Sequence, residues 1–454
     1  MQPDFELIKA PALVDLRNLC QPAAVRSHGF QYVCSGGFKF LIAKPRHVTY
    51  RPPLFYTEIL VILIGNTRLT TPCLYVDVSI IRRENAGTGI QRVVRAIWNV
   101  LQQNKDAEFE LVPVAGSPTQ EYRRIRDNFL ERPLRRLPIP WMRARLTPKS
   151  GDVFLGLDLS TRIVTRNKGQ LARWRRRGVK VAFVVYDLLP ALRPDWFDER
   201  AADYYRAWLN LITIEADHLA CISHTVANDL VDWMDALKIK GPQVTTLRLG
   251  AAISASAPSV GLPQHYCKTL AWVQAATCVM VVGTVEPRKG YDQVLAAFEQ
   301  LWDQPKVGED FRLLIVGRPG WMTDALQQRL RTHRLYGDRL LWIDDASDEY
   351  LELMYGACWG LLMASHGEGF GLPLLEAAAH RKPVLARDLP IFREIGPAGV
   401  VYFEGETAPE LAKALRQWRR SSKPVVIAAA DLCWSNTGED LESLLASLKF
   451  TKDR

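Results

Sequence analysis

The sequence predicts an α/β fold of two Rossmann-like, doubly wound domains that face each other across a cleft and follow an N-terminal extension. Three observations lead to this prediction. The chain has 454 residues, which is too long for one hydrophobic core. From Leu74 onward, short apolar runs alternate with longer amphipathic stretches, as in βαβ units around a buried parallel sheet. A stretch rich in Ala, Ser, Pro and Gly at residues 251–263 interrupts the alternation and is typical of an interdomain linker.

Residues 1–70 are predicted to be an extension outside the main fold. Prolines interrupt their short apolar pieces, and no periodicity is sustained. The extension is either poorly ordered or upstream of the functional start. Its longest apolar run, residues 54–64, is about half as long as a membrane-spanning helix and contains Glu58. Residues 1–10 lack the basic-then-apolar order of a secretory signal, so we expect no transmembrane helix and a cytoplasmic location.

The first domain is predicted over residues 71–262. It opens with a strand at 74–78, a loop of small residues at 85–89, and a helix at 90–101 whose apolar side chains share one face. Further strands are predicted at 109–114, 153–156, 179–186 and 218–222, and a helix begins near Thr225. Together these elements make one complete α/β domain.

The second domain, predicted over residues 263–434, repeats the alternation. Its predicted strands are 279–283, 311–316, 340–343, 359–363 and 383–386. Its predicted helices are 291–301, 324–334, 349–355 and 374–380. Two such domains in series give ligands a site at the carboxyl ends of both sheets.

The strongest functional signal is the segment SHGEGFGLPLLE at residues 365–376, between a predicted strand and a predicted helix. Gly367, Gly369 and Gly371 let the backbone pass close to a ligand. The helix N-terminus that follows offers free N–H groups to phosphate. The segment therefore predicts a loop that binds a phosphate-containing ligand, and Phe370 belongs to the same loop.

Two carboxylates flank this loop. We expect Glu368 beside a sugar and Glu376, two helical turns further on, within reach of ribose hydroxyls. Two glutamates at this spacing also occur in an ordinary capped helix, so the spacing alone decides nothing. The three glycines and Pro373 favour the ligand site.

A second loop, residues 282–290, also follows a predicted strand and precedes a helix. It contains Gly283 and the adjacent cations Arg288 and Lys289. Fixed cations in a cleft stabilise the negative charge that develops on a leaving diphosphate. A solvated turn is the alternative for an Arg-Lys pair in isolation.

Two first-domain features are candidates for the opposite wall of the cleft. Gly87 and Gly89 open the helix after the first strand, where they can approach the same phosphates; a simple tight turn is the alternative. Asp187 follows the strand at 179–186, where a carboxylate can accept or position the proton of an acceptor hydroxyl. A turn or cap role for Asp187 is its alternative.

These motifs together resemble those of family 4 of the retaining GT-B glycosyltransferases, the glycosyl transferases group 1. The pair Glu368 and Glu376 resembles the family's E-x7-E pattern, and residues 282–290 resemble its basic loop. The resemblance runs from about Leu74 to the end and implies that residues 435–454 form a helix crossing back to the first domain. The chain departs from the family at Thr88, which separates glycines that usually adjoin, and at Tyr186, near which many members carry a histidine.

The resemblance implies a retaining, metal-independent transferase without a cofactor. It assigns catalytic roles to Asp187, Glu368, Arg288 and Lys289. It assigns donor binding to Gly87, Gly89, Gly283, Arg288, Lys289, Gly367, Gly369, Phe370, Gly371 and Glu376. Because no carboxylate is placed for a double displacement, front-face substitution through an oxocarbenium-like state is expected.

The resemblance extends to a bacterial subgroup that acts in surface-polysaccharide assembly, including capsule and lipopolysaccharide. GDP-mannose is the first expected donor, and a UDP-sugar or dTDP-rhamnose is the second. The expected acceptor is a growing glycan on a lipid diphosphate. A catalytically silent GT-B module, a phosphorylase and a sugar-nucleotide epimerase are the competing interpretations.

The formal charge of +9 is concentrated in two basic clusters, at residues 123–149 and 173–177. They are either solvated faces or surfaces that attract anionic lipid, as at the inner face of the cell membrane. No nucleic-acid-binding signature accompanies them, so we expect no nucleic-acid partner. The 8 cysteines form no C-x-x-C pair and have no histidine at ligand spacing, so reduced thiols are expected and no metal site.

Overall fold

The computed structural model describes residues 30–35, 38–43, 71–83, 88–104, 108–130, 146–252, 261–304, 311–428 and 433–450. The chain divides into two units, residues 1–70 and 71–454. In the first unit, strands β1 (Phe30–Ser35) and β2 (Phe38–Ala43) pair antiparallel, which the sequence had not predicted. The rest of the extension, Gly87 and most of the predicted linker lie outside the described residues.

The second unit begins with a seven-stranded sheet in the order β5-β4-β3-β6-β7-β8-β9. All neighbours in this sheet pair parallel except β5, which is antiparallel to β4. The strands are β3 (Cys73–Asp77), β4 (Glu110–Ser117), β5 (Gln120–Arg124), β6 (Val153–Gly156), β7 (Lys180–Val185), β8 (His218–Cys221) and β9 (Gln243–Thr246). The strands predicted for the first domain are confirmed, whereas β5 and β9 were missed.

The helices of this first domain connect and cover its strands. They are α1 (Gly89–Gln103), α2 (Thr161–Arg166), α3 (Lys168–Arg175), α4 (Leu189–Leu192), α5 (Glu199–Glu215) and α6 (His224–Ala236). Helix α1 buries Val93, Val94 and Ile97 against the sheet, as its apolar face predicts. Its first turn is capped by the Thr88 hydroxyl, which accepts a hydrogen bond from the N–H of Gln91 at 3.3 Å.

A six-stranded, all-parallel sheet in the order β12-β11-β10-β13-β14-β15 forms the second domain. Its strands are β10 (Thr277–Val282), β11 (Phe311–Val316), β12 (Leu340–Ile343), β13 (Gly360–Met363), β14 (Val384–Arg387) and β15 (Val401–Phe403). The centre of the sheet is fully buried at Met280, Leu314 and Leu361, as expected when helices cover both faces. The short strand β15 was not predicted.

The helices of the second domain, with the final helix, are α7 (Tyr266–Gln274), α8 (Tyr291–Trp302), α9 (Asp324–Arg331), α10 (Asp348–Ala357), α11 (Leu372–Ala379), α12 (Pro390–Ile395), α13 (Ala408–Ser421) and α14 (Ser435–Phe450). Helix α14 packs on α1 of the first domain, and a Cβ on Gly438 would come within 2.6 Å of Val100. Arg248 pairs with Asp440 of the same helix at 2.7 Å. Within the described residues, no helix combines the length and apolarity needed to cross a bilayer.

Candidate active site

A cavity of about 430 Å³ lies between the two sheets, where the loops after β3, β7, β10 and β13 converge. This is the place at which doubly wound sheets bind ligands. All but two of the residues selected from the sequence line it: Gly89, Asp187, Gly283, Arg288, Lys289, Glu368, Gly369, Phe370, Gly371 and Glu376. Gly367 is outside this lining, and Gly87 is outside the described residues.

Glu368 lies at the centre of a charged cluster in the cavity, with only 7% of its side chain exposed. Its Oε2 accepts a hydrogen bond from Arg288 Nη1 at 2.9 Å, and its Oε1 accepts one from Ser365 Oγ at 2.7 Å. Lys289 Nζ forms an ion pair with the same carboxylate. The two cations of the basic loop are thus fixed by a carboxylate of the glycine loop.

The electrostatics of this cluster set its protonation states. Burial raises the pKa of Glu368, but Lys289 and Arg288 outweigh burial, and the pKa falls from 4.5 to about 2. Burial disfavours the Arg288 cation, yet its pKa is raised because Glu368, Glu286 and Asp187 surround it. The cluster therefore holds an ionised Glu368 against a charged Arg288 at neutral pH.

Asp187 faces this cluster from the first domain. Its Oδ1 accepts a hydrogen bond from the N–H of Leu189 at 3.1 Å, so Asp187 stabilises a turn, as the alternative interpretation expected. Its side chain also lines the cavity. Burial raises the pKa of Asp187, and the nearby Arg288 offsets only part of that effect. A half-buried carboxylate with a raised pKa in a cleft is a suitable proton acceptor.

The glycine loop approaches the first domain so closely at Gly369 that a side chain has no room. A Cβ there would overlap the carbonyl oxygen of Tyr186 and come within 2.9 Å of Asp187 Cβ. The Gly369 carbonyl oxygen accepts a hydrogen bond from Ser223 Oγ at 3.0 Å. Gly371 has a φ of 104° and precedes α11, a backbone conformation that favours glycine.

Gly369→Ala is expected to destabilise the protein by about 1–3 kcal/mol, because the added methyl group must push the two domains apart. Gly356→Ala is the matched control, since a Cβ at that helical glycine meets nothing within 4 Å. Thermal unfolding of both variants measures the difference. An equally mild effect of the two substitutions would contradict the close approach at Gly369.

Glu376 is held by a residue that the sequence did not single out. Arg92 of α1 donates to Glu376 Oε1 at 2.9 Å, and the Tyr355 hydroxyl donates to Oε2 at 2.7 Å. The other arm of Arg92 pairs with Asp348 at 2.6 Å. Glu376 is 2% exposed, and a carboxylate so buried requires such partners. Burial raises its pKa, and Arg92 offsets part of the rise.

Both carboxylate oxygens of Glu376 already accept a hydrogen bond within the protein, so the expected contact with ribose hydroxyls would add to these bonds. Each carboxylate oxygen has two lone pairs, so one bond to Arg92 or Tyr355 leaves room for a second. Arg92 and Glu376 come from different domains and both line the cavity. No local sequence pattern indicated this pair, because the two residues are 284 positions apart.

The domains make two further polar contacts near the cavity. Glu394, at the end of α12, accepts hydrogen bonds from the N–H groups of His224 at 2.7 Å and Thr225 at 2.8 Å, at the start of α6. Trp321 Nε1 donates to the carbonyl oxygen of Trp196 at 2.9 Å. Ser223 caps α6, because its Oγ accepts a hydrogen bond from the N–H of Val226. These contacts hold the two halves of the site together.

Residues 269–426 match the glycosyl transferases group 1 family. The serotype-specific mannosyltransferase WbdA of Escherichia coli is 37% identical to the chain over 353 residues, which are 76% of this chain and 42% of the relative. The O-antigen chain mannosyltransferase RfbU of Salmonella typhimurium is 24% identical over 233 residues, 51% of this chain and 59% of the relative. The chain thus spans less than half the length of WbdA.

Among solved structures, Anabaena Alr3699/HepE in complex with UDP and glucose superposes with a TM-score of 0.55 and 14% identity, over 83% of this chain and 100% of that one. Its complex with UDP-glucose gives a TM-score of 0.56 at 13% identity, over 82% and 99% of the two chains. At this identity the similarity concerns the fold. The expected GT-B arrangement of two Rossmann-like domains is confirmed.

Proposed function

Residues 269–426 form a glycosyl transferases group 1 domain, and from this premise we propose that the chain is a glycosyltransferase that moves a hexose from a nucleotide sugar to a glycan acceptor. The observation that carries the proposal is the cluster of Arg288, Lys289 and Glu368 in a cleft between two Rossmann-like domains. It combines fixed cations for a diphosphate with a fixed carboxylate for a sugar.

The cations are suited to the leaving group. Glu368 holds Arg288 and Lys289 in place but uses only some of their N–H donors. Arg288 Nε is buried without a hydrogen-bond acceptor in the described part of the chain, and the same is true of Arg92 Nε. Buried donors without acceptors cost free energy. An oxygen-rich ligand in the cavity that both arginines line would supply acceptors.

We propose the following division of labour for the transfer step. The bond between the sugar C1 and the diphosphate oxygen breaks while the acceptor oxygen bonds to C1 on the same face. Arg288 and Lys289 stabilise the negative charge on the departing diphosphate. Glu368 orients the sugar through its hydroxyls, and the acceptor proton passes to the leaving phosphate with help from Asp187. This scheme retains the anomeric configuration, and metal independence remains part of the proposal.

The names of the relatives favour mannose as the transferred sugar. WbdA and RfbU are both mannosyltransferases, so GDP-mannose is the first donor to test, and a UDP-sugar or dTDP-rhamnose is the alternative. The proposed acceptor is a growing glycan on a lipid diphosphate. Arg175 pairs with Glu215 and Arg173 with Glu121, but Arg176 and Arg177 form no ion pair within the described residues. The second basic cluster therefore keeps part of its charge for the proposed contact with anionic lipid.

A thermal-shift screen with GDP, UDP, dTDP and ADP, each with its sugar conjugates, tests donor binding. A ligand that binds only the folded state at a hundred times its Kd stabilises the protein by about 2.7 kcal/mol, so the true donor is expected to raise the midpoint. Lys289→Ala is the control, because it removes a cation from the cavity wall. If no nucleotide shifts the midpoint of well-folded protein, the silent-module interpretation replaces the proposal.

A further inference from the structure

A second cavity, of about 500 Å³, lies at the carboxyl ends of β13, β14 and β15. The first domain contributes Arg193 and Trp196 to its lining, from the turn after α4. The second domain contributes, among other residues, Pro287, His366, Arg387, Phe403, Glu404 and Glu406. The cavity is therefore a second interdomain site, separate from the one that holds Glu368.

The two cavities share a wall. Pro287 and His366 line the second cavity, while their neighbours Arg288 and Glu368 line the first. The N–H of His366 donates to the Arg288 carbonyl oxygen at 2.7 Å, which ties the two loops together. Between His366 and Glu368, Gly367 packs under the indole of Trp196, since a Cβ there would come within 2.8 Å of the ring. A ligand in the second cavity is thus separated from the reacting centre by one layer of backbone.

Trp196 is the aromatic side chain that the first domain contributes to the second cavity. Its indole is half-buried and is held by the Arg193 guanidinium, 3.9 Å from the ring centroid, and by His366, with ring centroids 6.4 Å apart. Its carbonyl oxygen is fixed by Trp321, which lines the first cavity. Arg193 lies over the ring and Gly367 packs against it, so the part of the indole that lines the cavity is what can contact the C–H groups of a sugar, at low entropic cost.

The polar part of the cavity offers acceptors more than donors. Arg387 is 6% exposed, and its guanidinium donates hydrogen bonds to the carbonyl oxygens of Ala364 and Gly405 and to the side-chain oxygen of Gln293. Glu404 and Glu406 are exposed, and neither side chain forms an ion pair within the described residues. Burial lowers the pKa of His366, and the nearby Arg387 lowers it further, so the ring is neutral at pH 7. Arg193, the other arginine of the lining, is paired with Asp195 at 2.9 Å. Free carboxylates beside two arginines that already have partners repel a phosphate but accept hydrogen bonds from hydroxyls.

We infer that the second cavity binds a neutral pyranose unit of the acceptor glycan, away from the sugar that reacts. The inference rests on the proposed transferase function and adds a distal acceptor subsite to it. The pyranose packs its C–H face near Trp196 and donates hydroxyl hydrogen bonds to Glu406 and Glu404. Long acceptors then gain affinity that short acceptors lack, and the transfer step itself is unchanged.

The test compares acceptors of different length with wild-type protein and two variants, Glu406→Gln and Trp196→Leu. Glu352→Gln is the matched control, because Glu352 is an exposed carboxylate outside both cavities. Calorimetry without donor measures the binding of mannotetraose and methyl mannoside, and steady-state kinetics measures KM and kcat for both. Circular dichroism checks the fold of each variant.

We expect Glu406→Gln to weaken mannotetraose binding and raise its KM by about tenfold, with kcat and the values for methyl mannoside unchanged. We expect Trp196→Leu to weaken mannotetraose binding in calorimetry by a similar factor. The control should match the wild type. Equal losses for both acceptors, or none for either, would overturn the subsite. Wild-type protein that transfers to methyl mannoside but binds mannotetraose no better also overturns it, while leaving the proposed function standing. Absence of donor binding and transfer in every protein would instead remove the proposed function.

Discussion

Glu368→Gln is expected to lower the transfer rate by at least about a hundredfold while leaving the affinity for the nucleoside diphosphate intact or improved. The amide keeps the shape of the side chain but removes the charge that holds Arg288 and Lys289. The sugar then loses its orienting carboxylate. The diphosphate, in contrast, meets Lys289 and Arg288 without the opposing charge of Glu368, although Arg288 keeps its pair with Glu286. Initial rates with the nucleotide sugar and calorimetry with the nucleoside diphosphate measure the two effects separately.

Ser365→Ala is the graded control for Glu368→Gln. It removes the 2.7 Å hydrogen bond to Glu368 but leaves the carboxylate and both cations in place. We expect the transfer rate to fall by tenfold or less, since the substitution removes only one hydrogen bond to a charged group. Parallel loss of nucleotide binding and transfer in Glu368→Gln would contradict the assignment, because it would indicate collapse of the loop and not loss of an orienting charge.

The lowered pKa of Glu368 also gives this carboxylate a role in stability. Its pKa is lowered from 4.5 to about 2 in the folded protein, so the ionised form favours folding above pH 4.5, and this contribution is lost as the pH falls toward 2. The shift corresponds to about 3 kcal/mol. Glu368→Gln should therefore destabilise the protein at neutral pH and much less at acidic pH. Chemical denaturation at both pH values is the accompanying check on the variant.

Arg92→Leu is expected to destabilise the protein by about 3–5 kcal/mol, because it leaves the Glu376 carboxylate buried without its cation. The substitution also breaks the pair with Asp348 on the second domain. Replacing both partners, in Arg92→Leu with Glu376→Leu, should recover most of the loss, since no buried charge remains unpaired. Denaturant unfolding, monitored by circular dichroism, gives the free energies of unfolding of the wild type, Arg92→Leu and the double variant.

Arg248→Leu is the control for Arg92→Leu. Arg248 also pairs with a carboxylate, Asp440, but its side chain is 59% exposed, so water replaces the lost interaction and a much smaller effect is expected. A double variant as unstable as Arg92→Leu alone would show that Arg92 contributes by packing and not by charge. Equal effects of the two arginine substitutions would contradict the buried interdomain pair.

The fold could be predicted well because its signals are local. The apolar run of β10 and the amphipathic face of α1 each lie within a dozen residues, and the structure has both at the predicted places. The loops that bear Arg288 and Glu368 were located by the same strand-loop-helix pattern. Strands β5 and β9 escaped prediction because each is short and polar in parts: QEYRR and QVTT lack a clear alternation.

The contacts that complete the site could not be predicted from local sequence patterns, because they join residues that are far apart in the chain. Arg92 lies in the first turn of α1, and nothing in the sequence around it indicates Glu376 as a partner. Trp196 likewise gives no sign that it packs on Gly367, since the two residues are in different domains. One signal was available and missed: Gly36 and Gly37, between two apolar-rich runs, are typical of a hairpin turn, and β1 and β2 flank them.

Transfer of mannose from GDP-mannose to a mannooligosaccharide by the purified chain is the measurement that tests the central claim most directly. The account predicts a new glycosidic bond with the anomeric configuration of the donor, seen by NMR of the product. It also predicts that the rate is unaffected by a chelator and is lost in Lys289→Ala. Folded protein that forms no product with any of the GDP, UDP or dTDP sugars, or whose product forms equally well in Lys289→Ala, would contradict it.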